Sequence, residues 1–124
     1  MLALTDPHEA YRRSALDARV HGGDTAALVT LCLEHAVGGL SLALFAEARG
    51  DTAQRSKALT KALTAITALE MGVDRGAPLA QALLQVYGAA RKAVLDSVVR
   101  FNPVALATAR SDLTEIKGAL HGAG

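Results

Sequence analysis

The stretch from Leu28 to Ala48 has more apolar positions than one helix face can hold. At about 100° per residue, these positions fall on two faces of a helix. The first face contains Leu28, Leu31, Cys32, His35, Leu42 and Ala46, and the second contains Val29, Leu33, Val37, Leu40 and Leu44. An ordinary bundle helix needs only one apolar stripe. The pattern therefore indicates either the central helix of its domain or a helix that keeps one face for another chain.

Three further segments follow the helical period, and short breaks separate them. The predicted helices span residues 24–49, 51–72, 78–101 and 103–120. No run of residues alternates between apolar and polar with the period of two that strands require. Since short links join neighbouring helices in antiparallel fashion, we expect an all-α, antiparallel up-down four-helix bundle. Residues 1–124 are expected to form this single domain.

The N-terminal segment, residues 1–22, is expected to form an extra short helix that caps the bundle. Asp6 can accept the first free N–H groups of that helix, and Pro7 suits its first position. The segment is short and only weakly amphipathic, so it is marginally stable by itself. We expect a mobile cap that docks through Tyr11 and Leu16.

The amino-acid composition of the chain argues against several classes of binding partner and against an extracellular location. The chain has 124 residues and a net charge of +1, with two Tyr, two Phe and no Trp. A nucleic-acid-binding face would need a basic stripe with aromatic residues, and none is present. The single cysteine excludes an internal disulfide, and neither a signal peptide nor a convincing membrane span is recognised. A cytoplasmic protein is therefore expected.

Candidate chemistry centres on His35 but lacks the residues that would support it. Histidine phosphotransfer domains are also small helical bundles, with a Lys three residues after the phosphorylated His. In this chain that position is Gly38, so the cation that steadies a phosphoryl group is missing. Cys32 and His35 could supply only half of a zinc site. No catalytic group, metal ligand set or cofactor site is predicted, and a phosphotransfer-like signalling bundle remains the alternative.

A set of residues in a fixed order runs from Ala10 to Leu120. It consists of Tyr11, then Leu28-Val29-x-Leu31-x-Leu33-Glu34-x-Ala36, Ala48-x-Gly50-Asp51, Leu59-x-Lys61-Ala62-x-x-x-Ile66-x-x-Leu69, Leu83-x-x-x-Tyr87, and Asn102-Pro103 before Leu106. In order and spacing, this set resembles the flagellin export chaperone family (FliS-like). It departs from the family where Tyr87 is followed by Gly88, and at the C-terminus, where the family's common Arg and Trp have no counterpart.

The resemblance implies a cytoplasmic helical bundle that binds the disordered C-terminal segment of newly made flagellin. Such chaperones stop premature filament assembly and help to deliver flagellin to the flagellar type III export apparatus. The family's N-terminal tyrosine segment packs over part of the flagellin-binding surface, and Tyr11 fits that place. From composition and motifs, we expect no enzyme activity, no nucleic-acid binding and no membrane insertion.

The expected client-binding surface combines the second face of the long helix with the next helix. Its residues are Tyr11, Leu33, Val37, Leu40, Leu44, Leu59, Leu63 and Ile66. Burying five or six such side chains would contribute roughly 1.5–3 kcal/mol each. The alternatives are that these residues are ordinary core, or that an obligate homodimer buries the surplus face. The expected oligomeric state is accordingly a monomer or a homodimer.

Overall fold

The computed structural model describes residues 25–123, with side chains described through His121. Its four helices are α1 (Thr25–Arg49), α2 (Thr52–Met71), α3 (Ala80–Val99) and α4 (Pro103–Ala123). The described range contains no strand. The prediction of an all-α four-helix bundle is thus confirmed, whereas the predicted cap of residues 1–22 lies outside the described residues.

The α1–α2 turn combines a cation, a glycine and a capping carboxylate, which are typical of a helix end followed by a helix start. Arg49 lies in the last turn of α1, where a cation is favourable, and Gly50 adopts a φ of 72°. The Asp51 side chain then accepts a hydrogen bond from the backbone N–H of Gln54, at 3.0 Å. This N-cap starts α2 directly after the glycine, so the two helices reverse direction within a two-residue link.

The α3–α4 turn uses the same kind of start signal. Asn102 accepts a hydrogen bond from the backbone N–H of Ala105 at 3.0 Å, and Pro103 is the first residue of α4. The buried hydroxyl of Ser97 accepts the backbone N–H of Asn102 at 3.1 Å. Arg100 has an extended conformation, so α3 ends at Val99 rather than at residue 101 as predicted.

The helices form a ring in which each contacts only its neighbours. Within the described range α1 packs against α2 and α4, and α3 packs against α2 and α4, while neither diagonal pair is in contact. The link from α2 to α3 turns around Asp74, whose carboxylate accepts the backbone N–H of Gly76 at 3.0 Å. This is the up-down topology expected from short connections.

The closest packing in the bundle lies between α1 and α2. A Cβ added to Gly39 would lie 2.8 Å from the backbone nitrogen of Ala62 and 3.0 Å from the carbonyl oxygen of Ala58. Ala36 and Ala43 of α1 are fully buried beside this contact. Small side chains let the two backbones approach closely, so α1 and α2 form the most extensive helix pair.

By length and composition, α1 is apolar enough to cross a membrane, but its packing is that of a bundle helix. Its buried residues are Leu33, Ala36, Gly39, Leu40, Ala43 and Ala46. They face α2 and the core, where the largest fully buried side chains from the other helices are Ile66, Val94, Leu106 and Leu113. A helix that carries one side of a soluble core passes the same hydropathy test.

Candidate partner-binding site

The predicted client-binding residues divide into two groups by their burial. Leu33, Leu40, Leu59 and Ile66 are between 0 and 4% exposed and lie in the core. A client cannot touch them while the four helices are closed. Their assignment to a client surface stays a prediction that requires the bundle to open, and the core alternative accounts for their positions. Tyr11 lies outside the described residues.

The remaining three predicted residues lie at the edge of the core. Val37 and Leu44 on α1 and Leu63 on α2 are partly exposed, and each packs against the buried cluster. One turn of α1 away from Val37, the hydroxyl of Ser41 accepts a hydrogen bond from Arg110 of α4 at 3.3 Å. Among the described members of the predicted set, these three side chains are the ones that a partner can reach in the closed bundle.

The two apolar faces of α1 are covered unequally, and each contains both buried and partly exposed residues. The face expected to be free contains Leu33 and Leu40, which are fully buried. The other face contains Leu31, which is 48% exposed, and continues to Phe45, which is 55% exposed. The guanidinium of Arg49 stacks over the Phe45 ring, 5.4 Å from its centroid. The surplus apolar surface of α1 is therefore its outer face.

A concave apolar cavity of about 210 Å³ lies at the end of the bundle where α1 begins. All four helices and the α2–α3 link contribute to its wall. The apolar lining residues are Val29, Leu69, Val73, Ala77, Ala80, Leu83, Tyr87, Ile116 and Leu120. A cavity of this size and character can receive one large aliphatic or aromatic side chain of a partner.

A cluster of exposed aliphatic residues surrounds the α3–α4 turn, at the opposite end of the bundle. We call this the valine edge, and its members are Leu95, Val98, Val99 and Val104. Val99 is 91% exposed, the highest value of any large hydrophobic residue described. Large apolar side chains left in water at one place mark a surface that another molecule covers.

Charged side chains near these surfaces are partly paired. Glu70 of α2 accepts a hydrogen bond from Arg91 of α3 at 2.8 Å, and this ion pair joins the two helices. At the other end of the bundle Arg55 forms an ion pair with Glu47, and its guanidinium lies 5.7 Å from the centroid of the Phe101 ring. Exposed ion pairs of this kind contribute at most about 1 kcal/mol each to stability.

The residues considered for chemistry are not assembled into a reactive site. His35 is exposed, and no ion pair or hydrogen bond of its side chain is found in the described part of the chain. Burial raises the pKa of the Cys32 thiol, which makes it a weaker nucleophile. Among residues 25–123, no group of three or more His, Cys, Asp and Glu side chains could hold a metal ion.

Sequence reasoning missed Phe45 and the valine edge as candidate contact residues. A signal for Phe45 was present, because Leu31, Gly38 and Phe45 recur every seven residues on one side of α1. For the valine edge, the signal was two adjacent valines, Val98 and Val99, at the end of α3. The core-facing apolar stripe of that helix is complete without them. Both signals concern surplus apolar residues rather than a motif.

Comparison with known proteins shows similarity to a protein family over nearly the whole chain. A family model described as "Flagellar protein FliS" matches residues 7–124. The match includes Tyr11, the four helices and every surface described above. No curated protein gives a significant match.

Proposed function

The chain belongs to the FliS family of flagellar proteins, and from this membership we propose that it is a cytoplasmic export chaperone for flagellin. The observation that carries the proposal is the family match over residues 7–124. In this proposal the chain binds the disordered C-terminal segment of flagellin and has no catalytic activity of its own. The bound client is protected from premature polymerisation and is passed to the flagellar type III export apparatus.

The binding free energy in this proposal comes from burying apolar side chains of the client. Ordering a disordered segment costs several kcal/mol, so the client must cover a large apolar area. The exposed apolar surfaces of the bundle meet this need, because they lie at separate places around it. An extended chain with short helical stretches can reach several of them at once, as peptides do when they dock into apolar grooves.

The proposed contacts begin with the reachable members of the predicted surface. Val37, Leu44 and Leu63 are partly exposed beside the core, and the valine edge adds aliphatic side chains at the α3–α4 turn. The cavity at the other end of the bundle receives one anchoring side chain of the client. Tyr11 contributes from the N-terminal segment as the family resemblance implies.

The proposal is tested by the polymerisation of flagellin in the presence of the purified chain. Equimolar chaperone should suppress filament growth from seeds, because the C-terminal segment of flagellin is occupied. A Val37→Asp variant should suppress growth less well, since it places a charge among apolar contacts. Thr108→Asp, which puts the same charge on the exposed surface of α4, is the matched control and should act like the original chain.

Two results would contradict the proposal. The first is filament growth that continues at the same rate when the folded original chain is in excess. The second is equally strong capture of intact flagellin and of flagellin that lacks its C-terminal segment. Circular dichroism of each variant separates lost binding from lost folding, because four helices make up most of residues 25–123.

A further inference from the structure

The arginines within the four helices differ in what their guanidinium groups contact. Arg55 and Arg91 form ion pairs with glutamates of neighbouring helices, and Arg49 stacks over an aromatic ring. Arg110 of α4 instead donates a hydrogen bond to the neutral hydroxyl of Ser41, at 3.3 Å. Among the described residues it forms no ion pair. Arg110 is therefore the helical arginine whose charge meets no group of opposite sign in the described part of the chain.

The unpaired guanidinium lies beside apolar side chains that a partner can reach. Arg110 is half-buried, because it reaches across the contact between α4 and α1 to Ser41. On α1, Val37 lies four residues before Ser41 and Leu44 lies three residues after it, so these residues share one side of the helix. Val37 and Leu44 are both partly exposed. This side of the bundle thus offers a cation with an aliphatic side chain one turn away in each direction.

Building on the flagellin proposal, we propose that Arg110 binds a carboxylate of the client and so fixes the position of the client along α1 and α4. A guanidinium has several N–H donors in one plane, and Ser41 accepts only one of them. The remaining donors match the two oxygens of a carboxylate, and such bonds are stronger than those between neutral groups. Apolar residues on either side of that carboxylate contact Val37 and Leu44.

The charges around Arg110 leave it available to an acidic partner. Lys117 lies two turns further along the same side of α4, and it forms no ion pair among the described residues. By the helical period, Asp112 and Glu115 project from the other side of α4. Glu34 of α1 lies about 10 Å along the helix from the residue that Arg110 contacts. That distance exceeds the screening length at physiological salt, so Glu34 neutralises little of the charge.

Calorimetric titration of the full chain with a synthetic C-terminal segment of flagellin measures this contact. Arg110→Met should raise the dissociation constant about tenfold or more, because it removes a partly sheltered charge pair. Arg110→Lys should cause a smaller loss, since an ammonium keeps the charge but cannot bind both oxygens in the same plane. Lys57→Met is the matched control, because Lys57 is exposed on α2 and its loss changes the net charge equally. It should leave the constant unchanged.

Modified segments identify the source of the carboxylate, which is either an acidic side chain or the terminal carboxylate of flagellin. One segment is amidated at its C-terminus, and in each of the others one Asp or Glu is replaced by Asn or Gln. One of these changes should weaken binding to the original chain by about the same factor as Arg110→Met. The same change should have little further effect on the Arg110→Met variant, because its partner is already missing.

Equal affinity of the original chain and Arg110→Met for the unmodified segment would overturn the role of Arg110 and leave the flagellin proposal intact. Equal effects of every modified segment on the original chain and on Arg110→Met would overturn it as well. Failure of the original chain to bind the segment would instead contradict the flagellin proposal, and the role of Arg110 with it. Circular dichroism should show unchanged helicity in each variant, so that a weaker contact is not confused with a lost fold.

Discussion

The α1–α2 contact and the valine edge use apolar residues in opposite ways. Between α1 and α2, small residues such as Gly39 and Ala62 bring two backbones together and are fully covered. At the α3–α4 turn, larger residues such as Val98 and Val99 remain mostly in water. Residue hydrophobicity therefore does not decide which surface of this bundle is core. The small residues decide which side of α1 packs against α2, because they permit close approach of the two backbones, and large side chains such as Leu33 and Leu40 fill the core beside them.

This difference implies that residues between α1 and α2 determine the stability of the bundle, whereas residues of the valine edge are available for binding. A change between α1 and α2 must disturb the packing of the whole bundle, since these helices form its most extensive contact. A change at the valine edge removes surface that supports no other helix. The predictions below use matched pairs of substitutions to test that separation, from the largest expected effect to the smallest.

The same charge should have very different effects at the two places. Leu40→Asp buries a carboxylate at a position that is 0% exposed and should cost more than about 4 kcal/mol, enough to unfold most of the protein. Val99→Asp, at the most exposed hydrophobic position, should change the free energy of unfolding by less than about 0.5 kcal/mol. Urea denaturation followed by circular dichroism measures both. Similar losses in the two variants would contradict the separation.

Two adjacent glycines of α1 provide a finer comparison. Gly39→Ala places a Cβ against the α2 backbone and should destabilise the bundle by about 1–3 kcal/mol. Gly38→Ala meets no close neighbour and should stabilise it by about 0.5–1 kcal/mol, because alanine favours helix. Thermal unfolding of both variants should move in opposite directions from the original chain. A gain in stability for Gly39→Ala would show that α1 and α2 are not closely packed.

At the valine edge, substitution should affect binding without affecting folding. The double variant Val98→Ser with Val99→Ser should weaken flagellin binding by about three- to tenfold, since it removes apolar contact area. Its midpoint of thermal unfolding should remain within a few degrees of the original. The control is Thr108→Ser, which changes an exposed residue away from this edge. Unchanged affinity in the double variant would exclude the valine edge from the client surface.

The smallest expected effect is a dependence of the free energy of unfolding on pH through the thiol of Cys32. Burial raises the pKa of its thiol, so the folded protein holds the thiol proton more tightly than the unfolded chain does. The free energy of unfolding should thus be unaffected below the ordinary thiol range and should fall as pH rises through it and beyond. Cys32→Ala should remove this decline. Alkylation at pH 8 should also be slower for folded than for unfolded protein, and equal rates would contradict the burial.

Local signals in the sequence were sufficient to predict most of the fold. Asp51 and Asn102 act as caps, Gly50 adopts the left-handed conformation, and the helices follow the predicted periods. Each of these features depends on residues within a few positions of one another. The third and fourth helices differ most from their predicted lengths. The third spans Ala80–Val99 instead of residues 78–101, and the fourth continues through Gly118 to Ala123 instead of ending at residue 120.

The candidate site was harder to predict, because it depends on which face of α1 the other helices cover. Periodicity showed two apolar faces but could not rank them. The deciding feature was the row of small residues, Ala36, Gly39 and Ala43, which directs one side of α1 to α2. Once that side is covered, Leu33 and Leu40 turn into the core. The prediction for Val37, Leu44 and Leu63 as client contacts stays untested.

The most direct test of the account is a calorimetric titration of the full chain with the C-terminal segment of flagellin, repeated at several temperatures. We expect binding with a negative heat-capacity change, because the client covers apolar surface of a bundle that is already folded. A scrambled segment of the same composition should bind much more weakly. Absence of binding by the intended segment, or equal binding by the scrambled one, would contradict the claim that this bundle is a flagellin chaperone.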